Sequence, residues 1–309
     1  MKIYSGLERF SANRPVVTIG MFDGIHSGHR ELISYTIEKA REIKGESVVV
    51  TFWPHPRIVL KKDQDSLRFL TSLEEKTVLF SQLGIEHLVI IPFDETFSLL
   101  SAAQFTESIL VKRIGIVHLV IGYNHRFGHD GYQKQINYEE LGNQFNFDVS
   151  VIGPVKIGEE KSSSTVIRNL LQEGNIVEAN KLLGYSYQIS GRVVGGQQLG
   201  RKIDFPTANV EVEETAKLIP LDGVYACKVN VLGKEYNGML NIGYRPTISQ
   251  HKDSRTIEVH LLDFKGNLYS EEIIIQFIDR VRDERKFNNM EELKKQLAKD
   301  EVNIRAILD

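Results

Sequence analysis

The chain has 309 residues, 41% of them hydrophobic and 26% charged, and a formal net charge of −3, which argues against disorder and gives no electrostatic case for wrapping nucleic acid or an anionic membrane. The length suits two domains with a core each, and the single cysteine, Cys227, excludes an intramolecular disulfide. The start Met1-Lys2-Ile3-Tyr4-Ser5 lacks the apolar region of a secretory signal and no run approaches membrane-spanning length, so a cytoplasmic protein with small-molecule partners is expected, monomeric or weakly self-associating.

From Val16 to about Ile152, short apolar runs alternate with amphipathic segments, which predicts an α/β domain with a parallel sheet covered by helices. Strands are predicted at 16–19, 48–52, 88–91, 117–121 and 149–152. Between the first two, Leu32, Ile33, Ile37, Ala40 and Ile43 recur at helical spacing and stop before Gly45. Ser101 is positioned to cap a further helix.

The first strand delivers the chain to Gly20-Met21-Phe22-Asp23-Gly24-Ile25-His26-Ser27-Gly28-His29, and a helix follows. A helix N-terminus offers unpaired N–H groups to an anion, and His26 and His29, three apart, project from one face of its first turn. Gly28 lets a ligand approach the backbone. Zinc ligation is the competing reading, but no Cys pair or second paired-His motif lies nearby.

Ligands of open parallel sheets bind beyond the carboxyl ends of the strands. After the second predicted strand, prolines 54 and 56 bracket His55 and precede Arg57; after the fourth, Gly122 and Gly128 enclose Asn124 and Arg126. Taken singly, His55 reads as well as a surface turn residue, and Asn124 as a turn former. Ser162, Ser163, Ser164 and Thr165 then open a helix that carries Arg168, more hydroxyls than a cap needs and suited to a triphosphate tail.

Past Leu182-Leu183-Gly184 the pattern changes to successive strands at 189–194, 207–212, 224–231, 235–242, 256–264 and 272–278. Short turns at 232–234 and 265–267 fit an antiparallel arrangement and a small closed barrel. A terminal amphipathic helix is predicted at 289–299, with Asn289 near its cap. The domains are therefore drawn as 1–184 and 185–309. The loop Gly195-Gly196-Gln197-Gln198-Leu199-Gly200-Arg201 lacks the Lys-Ser/Thr pair of a Walker motif and follows a strand.

Gly20 to His29, Thr51-Phe52-Trp53-Pro54-His55-Pro56, Gly122 to Gly128 and Ser163 to Arg168 resemble, in order, the motifs of the adenylyltransferase half of bacterial bifunctional riboflavin kinase/FAD synthetases. The glycine-rich loop with Phe205-Pro206-Thr207-Ala208-Asn209, and the segments 220–226, 241–247, 258–264 and 282–287, resemble the kinase half. The resemblance covers essentially the whole chain. It implies a Rossmann-like nucleotidylyltransferase domain and a riboflavin kinase barrel, which phosphorylate riboflavin with ATP and then adenylylate FMN to FAD with release of pyrophosphate.

The resemblance also implies roles. His26 and His29 would serve adenylyl transfer. Gly20, Phe22, Asp23, Gly24, His55, Asn124, Arg126, Ser163, Ser164, Thr165 and Arg168 would bind ATP or phosphate in the first half, and Gly195, Gly200 and Arg201 in the second. Glu258 would be the kinase base, Thr207 and Asn209 would hold Mg²⁺, and Arg282, Glu284 and Phe287 would meet the flavin. Two positions depart from the family pattern. Met21 stands where Asn is common. Asp204 stands where Gly is common, which leaves three readings: a carboxylate turned outward, one offset by Mg²⁺, or a weakened kinase. An adenylyltransferase with a flavin-binding barrel and a non-catalytic flavin or nucleotide sensor are the rival functions.

Overall fold

The structure, a computed structural model, describes residues 1–60, 68–130, 136–157, 160–196, 200, 203–244 and 255–309. Two compact units, Met1–Ser163 and Ser164–Asp309, make up the chain.

The first unit is built on six parallel strands: β1 (Lys2–Ser5), β2 (Val16–Ile19), β3 (Ser47–Trp53), β4 (His87–Pro92), β5 (His118–Gly122) and β6 (Asp148–Ile152). Their order is β1-β4-β3-β2-β5-β6. Val16, Val17, Val48, Val49, Val50, Leu119, Val120 and Ile121 are fully buried, as expected of a sheet covered on both faces. The edge strand β1 escapes prediction because it is short, largely exposed and paired on one side only, with β4.

Helix α1 (Ser27–Glu42) follows β2 and buries Leu32, Ile33, Thr36 and Ala40. Helix α2 (Leu73–Leu83) begins with a capping box, the Glu75 N–H donating to Ser72 Oγ and the Ser72 N–H to Glu75 Oε2. Ser101 caps α3 (Ala102–Phe105) in the same manner with Gln104, and the chain continues as a π-helical segment, Thr106–Ile114. Helix α4 (Tyr138–Phe145) precedes β6.

Strand order positions the site. From β2 the chain steps outward to β3 and β4, then crosses to β5 on the other side of β2. The crevice of such a sheet opens where the order reverses, between β2 and β5. Val16 pairs with His118 and Thr18 with Val120. The loop that starts at Gly20 and the one that starts at Gly122 therefore leave the sheet side by side, with the β3 loop next to them.

The second unit opens with helices α5 (Ser164–Gln172) and α6 (Ile176–Leu183). Strands β7 (Gln188–Val194), β8 (Ala208–Glu211), β9 (Gly223–Val231), β10 (Lys234–Tyr244), β11 (Arg255–Leu261) and β12 (Glu272–Arg282) close into an antiparallel barrel in the order β8-β11-β10-β9-β12-β7. The pair α5–α6 packs with this barrel: Asn180 donates to the Phe277 carbonyl at 2.9 Å, and the Tyr187 N–H donates to Asn180 at 2.7 Å.

Helix α7 (Met290–Leu308) runs nine residues beyond the predicted end at 299. Leu293, Leu297, Ile304 and Leu308 form its apolar stripe against Phe205, Val224 and Met239 of the barrel. The polar stretch from Asp300 hides this continuation in the sequence. Asp300 is 1% exposed because Arg282 meets it through Nε and Nη2 at 2.9 and 2.7 Å.

Candidate active sites

In the first unit the Gly20–His29 stretch forms the turn from β2 into α1. His26 is the N-cap of α1, and its ring stacks on that of His29, with centroids 3.7 Å apart. Gly28 makes this possible, because a Cβ there would stand 3.2 Å from the His26 ring. Its lack of a side chain serves the imidazole pair, where the sequence suggested ligand approach. The Ser162 carbonyl also lies 3.7 Å from that Cβ position, so the chain at Ser162 runs beside the His motif. Ser164, Thr165 and Arg168 lie in α5 and belong to the second unit.

Burial, then the neighbouring His26, Lys76 and His125, hold His29 well below the ordinary histidine range. His29 is thus neutral at pH 7, and its Nδ1 is buried with no hydrogen-bond partner among the described residues. His125, in the loop after β5, is a third imidazole at this site, lowered to about 4 by burial. Between Asn124 and Arg126 it carries no signal in the sequence, since a lone histidine in a loop has no spacing pattern.

Two expected phosphate-binding side chains prove to be supports. Phe22 is 2% exposed, and its ring packs edge-on against His29 at 5.3 Å and Phe80 at 5.4 Å. Asp23 turns inward as well: its Oδ1 accepts from the Leu70 and Thr71 N–H groups at 2.9 and 3.2 Å. The Gly24 N–H donates to Thr71 Oγ1 at 3.0 Å, which completes a clamp on the loop. A carboxylate so engaged holds the loop without opposing a phosphate.

His55 caps the helical turn Pro56–Val59, its Nδ1 accepting from the Arg57 N–H at 3.1 Å, and stacks on Phe69. Asn124 and Arg126 are exposed. Both line a cavity of about 640 Å³ with Tyr123 and Tyr138. Arg126 and His125 also border an apolar cavity of about 700 Å³, walled by Phe52, Phe93, Phe97 and Phe127 and reaching Gly20 and Met21.

In the barrel, Asn209 of β8 stands directly across from Glu258 of β11, so their side chains share one face. Thr207 Oγ1 donates to Glu258 Oε2 at 3.2 Å, which brings the three predicted residues together. Among the glycines of the loop, Gly196 is the one this cluster requires, because a Cβ there would fall 1.9 Å from Asn209 Nδ2. A cavity of about 560 Å³ adjoins Gly195, Gly196, Thr207 and Asn209. Gly200 is packed against the Phe205 carbonyl, and Arg201 lies outside the described residues.

Asp204 takes the first of its three readings. Its side chain is 81% exposed and pairs with Lys294 of α7 at 2.6 Å. Its backbone is left-handed, φ 68°, which accounts for glycine being the common residue at such a position. Arg282, expected to face the flavin, is instead engaged by Asp300. Glu284 lies against Gly243, where a Cβ would meet its carboxylate. Phe287 sits beneath the guanidinium of Arg285 at 4.7 Å.

No group of three or more His, Cys, Asp or Glu side chains among the described residues is arranged to hold a metal ion. The Thr207 hydroxyl and the Asn209 amide oxygen are hard donors of the kind that suits Mg²⁺.

A family model described as FAD synthetase matches residues 9–166, and one described as riboflavin kinase matches residues 183–308. The bifunctional riboflavin kinase/FMN adenylyltransferase of Listeria monocytogenes is 38% identical over 291 residues, covering 94% of this chain and 91% of the relative. The chain belongs to this family. Its Escherichia coli K12 member is 36% identical, over 99% of this chain and 97% of its own length. A solved structure named as a macrolide-efflux protein from Streptococcus pneumoniae superposes with a TM-score of 0.88 at 31% identity, covering 98% of both chains. No described helix here is long and apolar enough to cross a membrane. The enzyme is a riboflavin kinase and FMN adenylyltransferase, converting riboflavin to FMN and FMN to FAD in ATP-dependent steps.

Proposed function

We propose that residues 1–184 carry adenylyl transfer and residues 185–309 carry the kinase. The stacked His26–His29 pair at the β2–β5 crevice is the observation that carries the first assignment. There the FMN phosphate attacks the α-phosphorus of ATP and pyrophosphate leaves, with no covalent enzyme intermediate. The two imidazoles donate to the α-phosphate as its charge grows. The aromatic walls of the 700 Å³ cavity suit the flavin ring. Asn124 and Arg126 are assigned to nucleotide ribose and phosphate, and Ser163 to the triphosphate tail.

In the barrel Glu258 accepts the proton of the riboflavin 5′-hydroxyl as that oxygen attacks the γ-phosphate. Thr207 and Asn209 hold Mg²⁺, which when bound neutralises charge on the nucleotide phosphates. Gly195 and Gly196 leave room for those phosphates, and Glu284 and Phe287 border the flavin. The enzyme acts in the cytoplasm as a monomer or weak homo-oligomer, with neither nucleic acid nor membrane as partner.

Substituting Mn²⁺ for Mg²⁺ with bound ADP tests the metal assignment. The paramagnetic ion should broaden the Asn209 side-chain amide resonance beyond detection, whereas a sharp Asn209 signal in the saturated complex removes it as a ligand. The exposed Asp204–Lys294 pair leads to a second expectation. Asp204→Gly should leave the rate of riboflavin phosphorylation within about twofold of the parent, since exposed pairs contribute little. A large gain in that rate would show that the carboxylate opposes the nucleotide.

A further inference from the structure

Helix α2 carries a buried lysine. Lys76 is 2% exposed, and its Nζ donates to the Met21 carbonyl at 2.9 Å. The indole of Trp53, at the end of β3, lies 5.9 Å from the ammonium. Met21 and Gly20 border the apolar cavity, so the ammonium is bonded to the backbone of a residue that lines it. Among the groups around it, Asp23 in the loop favours its charged form, and His29 of α1 feels that charge.

Burying a lysine is costly. A neutral donor would hold the Met21 carbonyl without that cost, and Asp23 already fixes the same loop on Leu70 and Thr71. The charge itself is what a clamp does not explain. Two phosphates, both anionic, must meet in front of this loop.

We propose that Lys76 is a positioning residue for adenylyl transfer, supplying a fixed positive charge behind the Gly20–Gly24 loop where the phosphates of FMN and ATP meet. The inference rests on the assignment of His26 and His29 to those phosphates. The charge acts in two ways. It draws anionic substrate to the loop, and it disfavours a second proton on His29. Burial lowers Lys76 itself, and Asp23 opposes that shift.

Lys76→Gln keeps an amide donor for the Met21 carbonyl and removes the charge, while Lys76→Met removes both. Each is assayed for FAD formation from FMN across pH, with riboflavin phosphorylation by the barrel and a thermal melt as controls for folding. Both variants should lose about tenfold in kcat/KM for FAD formation, less than a direct donor would. The acid limb of the profile should move to higher pH, because His29 has lost one of the like charges that lower it, the others being His26 and His125. If Lys76→Gln matches the parent in both rate and limb, Lys76 is only a clamp and the proposal fails. A loss of rate with an unshifted limb overturns it too. Should Lys76→Met not fold, Lys76→Gln alone decides. A parent enzyme that makes no FAD would instead refute the assignment of the histidine pair.

Discussion

Replacing His29 by Ala lowers FAD formation from FMN by about 10²-fold, close to 3 kcal/mol, and leaves FMN formation from riboflavin unchanged. The loss is large because the ring does two things. It is the proposed donor, held in place by Phe22 and His26 at centroid distances of 5.3 and 3.7 Å. It is also the surface on which His26 rests, so its removal loosens the second donor. Burial and three neighbours keep it neutral, so it offers one N–H without carrying a charge. The proposed kinase residues lie in the barrel, beside a separate cavity, so the kinase step is expected to be spared. Separate assays of the two steps on the folded variant check this, and equal loss of both would contradict the division of labour.

Glu258→Gln should have the opposite signature. Riboflavin phosphorylation falls by about 10²- to 10⁴-fold, the usual range for loss of a positioned base, while FAD is still made from supplied FMN. The amide is isosteric and keeps an oxygen able to accept from Thr207 Oγ1, so the cross-strand pairing of Asn209 with Glu258 and the barrel around it persist. What is lost is a group able to take the hydroxyl proton. A variant that phosphorylates riboflavin at the parent rate would return Glu258 to the role of a strand residue with a hydroxyl neighbour.

Much of this was legible in the sequence because it depends on local pattern. Unbroken Val and Ile runs mark strands buried on both faces, and the residues that follow them lie at the carboxyl edge whatever the strand order. The spacing of His26 and His29 predicts rings that meet, and they do stack, although His26 is the N-cap of α1 and only His29 lies within the helix. Thr207, Asn209 and Glu258 were named from motif resemblance, and antiparallel register then brings them together.

The rest depended on partners distant in the chain. Asp204 meets Lys294, ninety positions away, and nothing around Asp204 announces that partner. Arg282 has the motif of a flavin contact and the geometry of an anchor, because Asp300 waits on a helix whose length the sequence understated. Phe22 and Asp23 sit in a phosphate-binding motif, yet they serve it from behind, through Phe80, Leu70 and Thr71. Lys76 meets the Met21 carbonyl fifty-five positions away, a partner that no local pattern around it announces.

Separating flavins by chromatography after incubating the enzyme with riboflavin, ATP and Mg²⁺, beside a reaction started from FMN, tests the central claim most directly. FMN followed by FAD is expected in the first reaction and FAD in the second. FAD from FMN with none from riboflavin would contradict the kinase assignment, and no product from either, with oxidised or reduced flavin, would contradict the whole account.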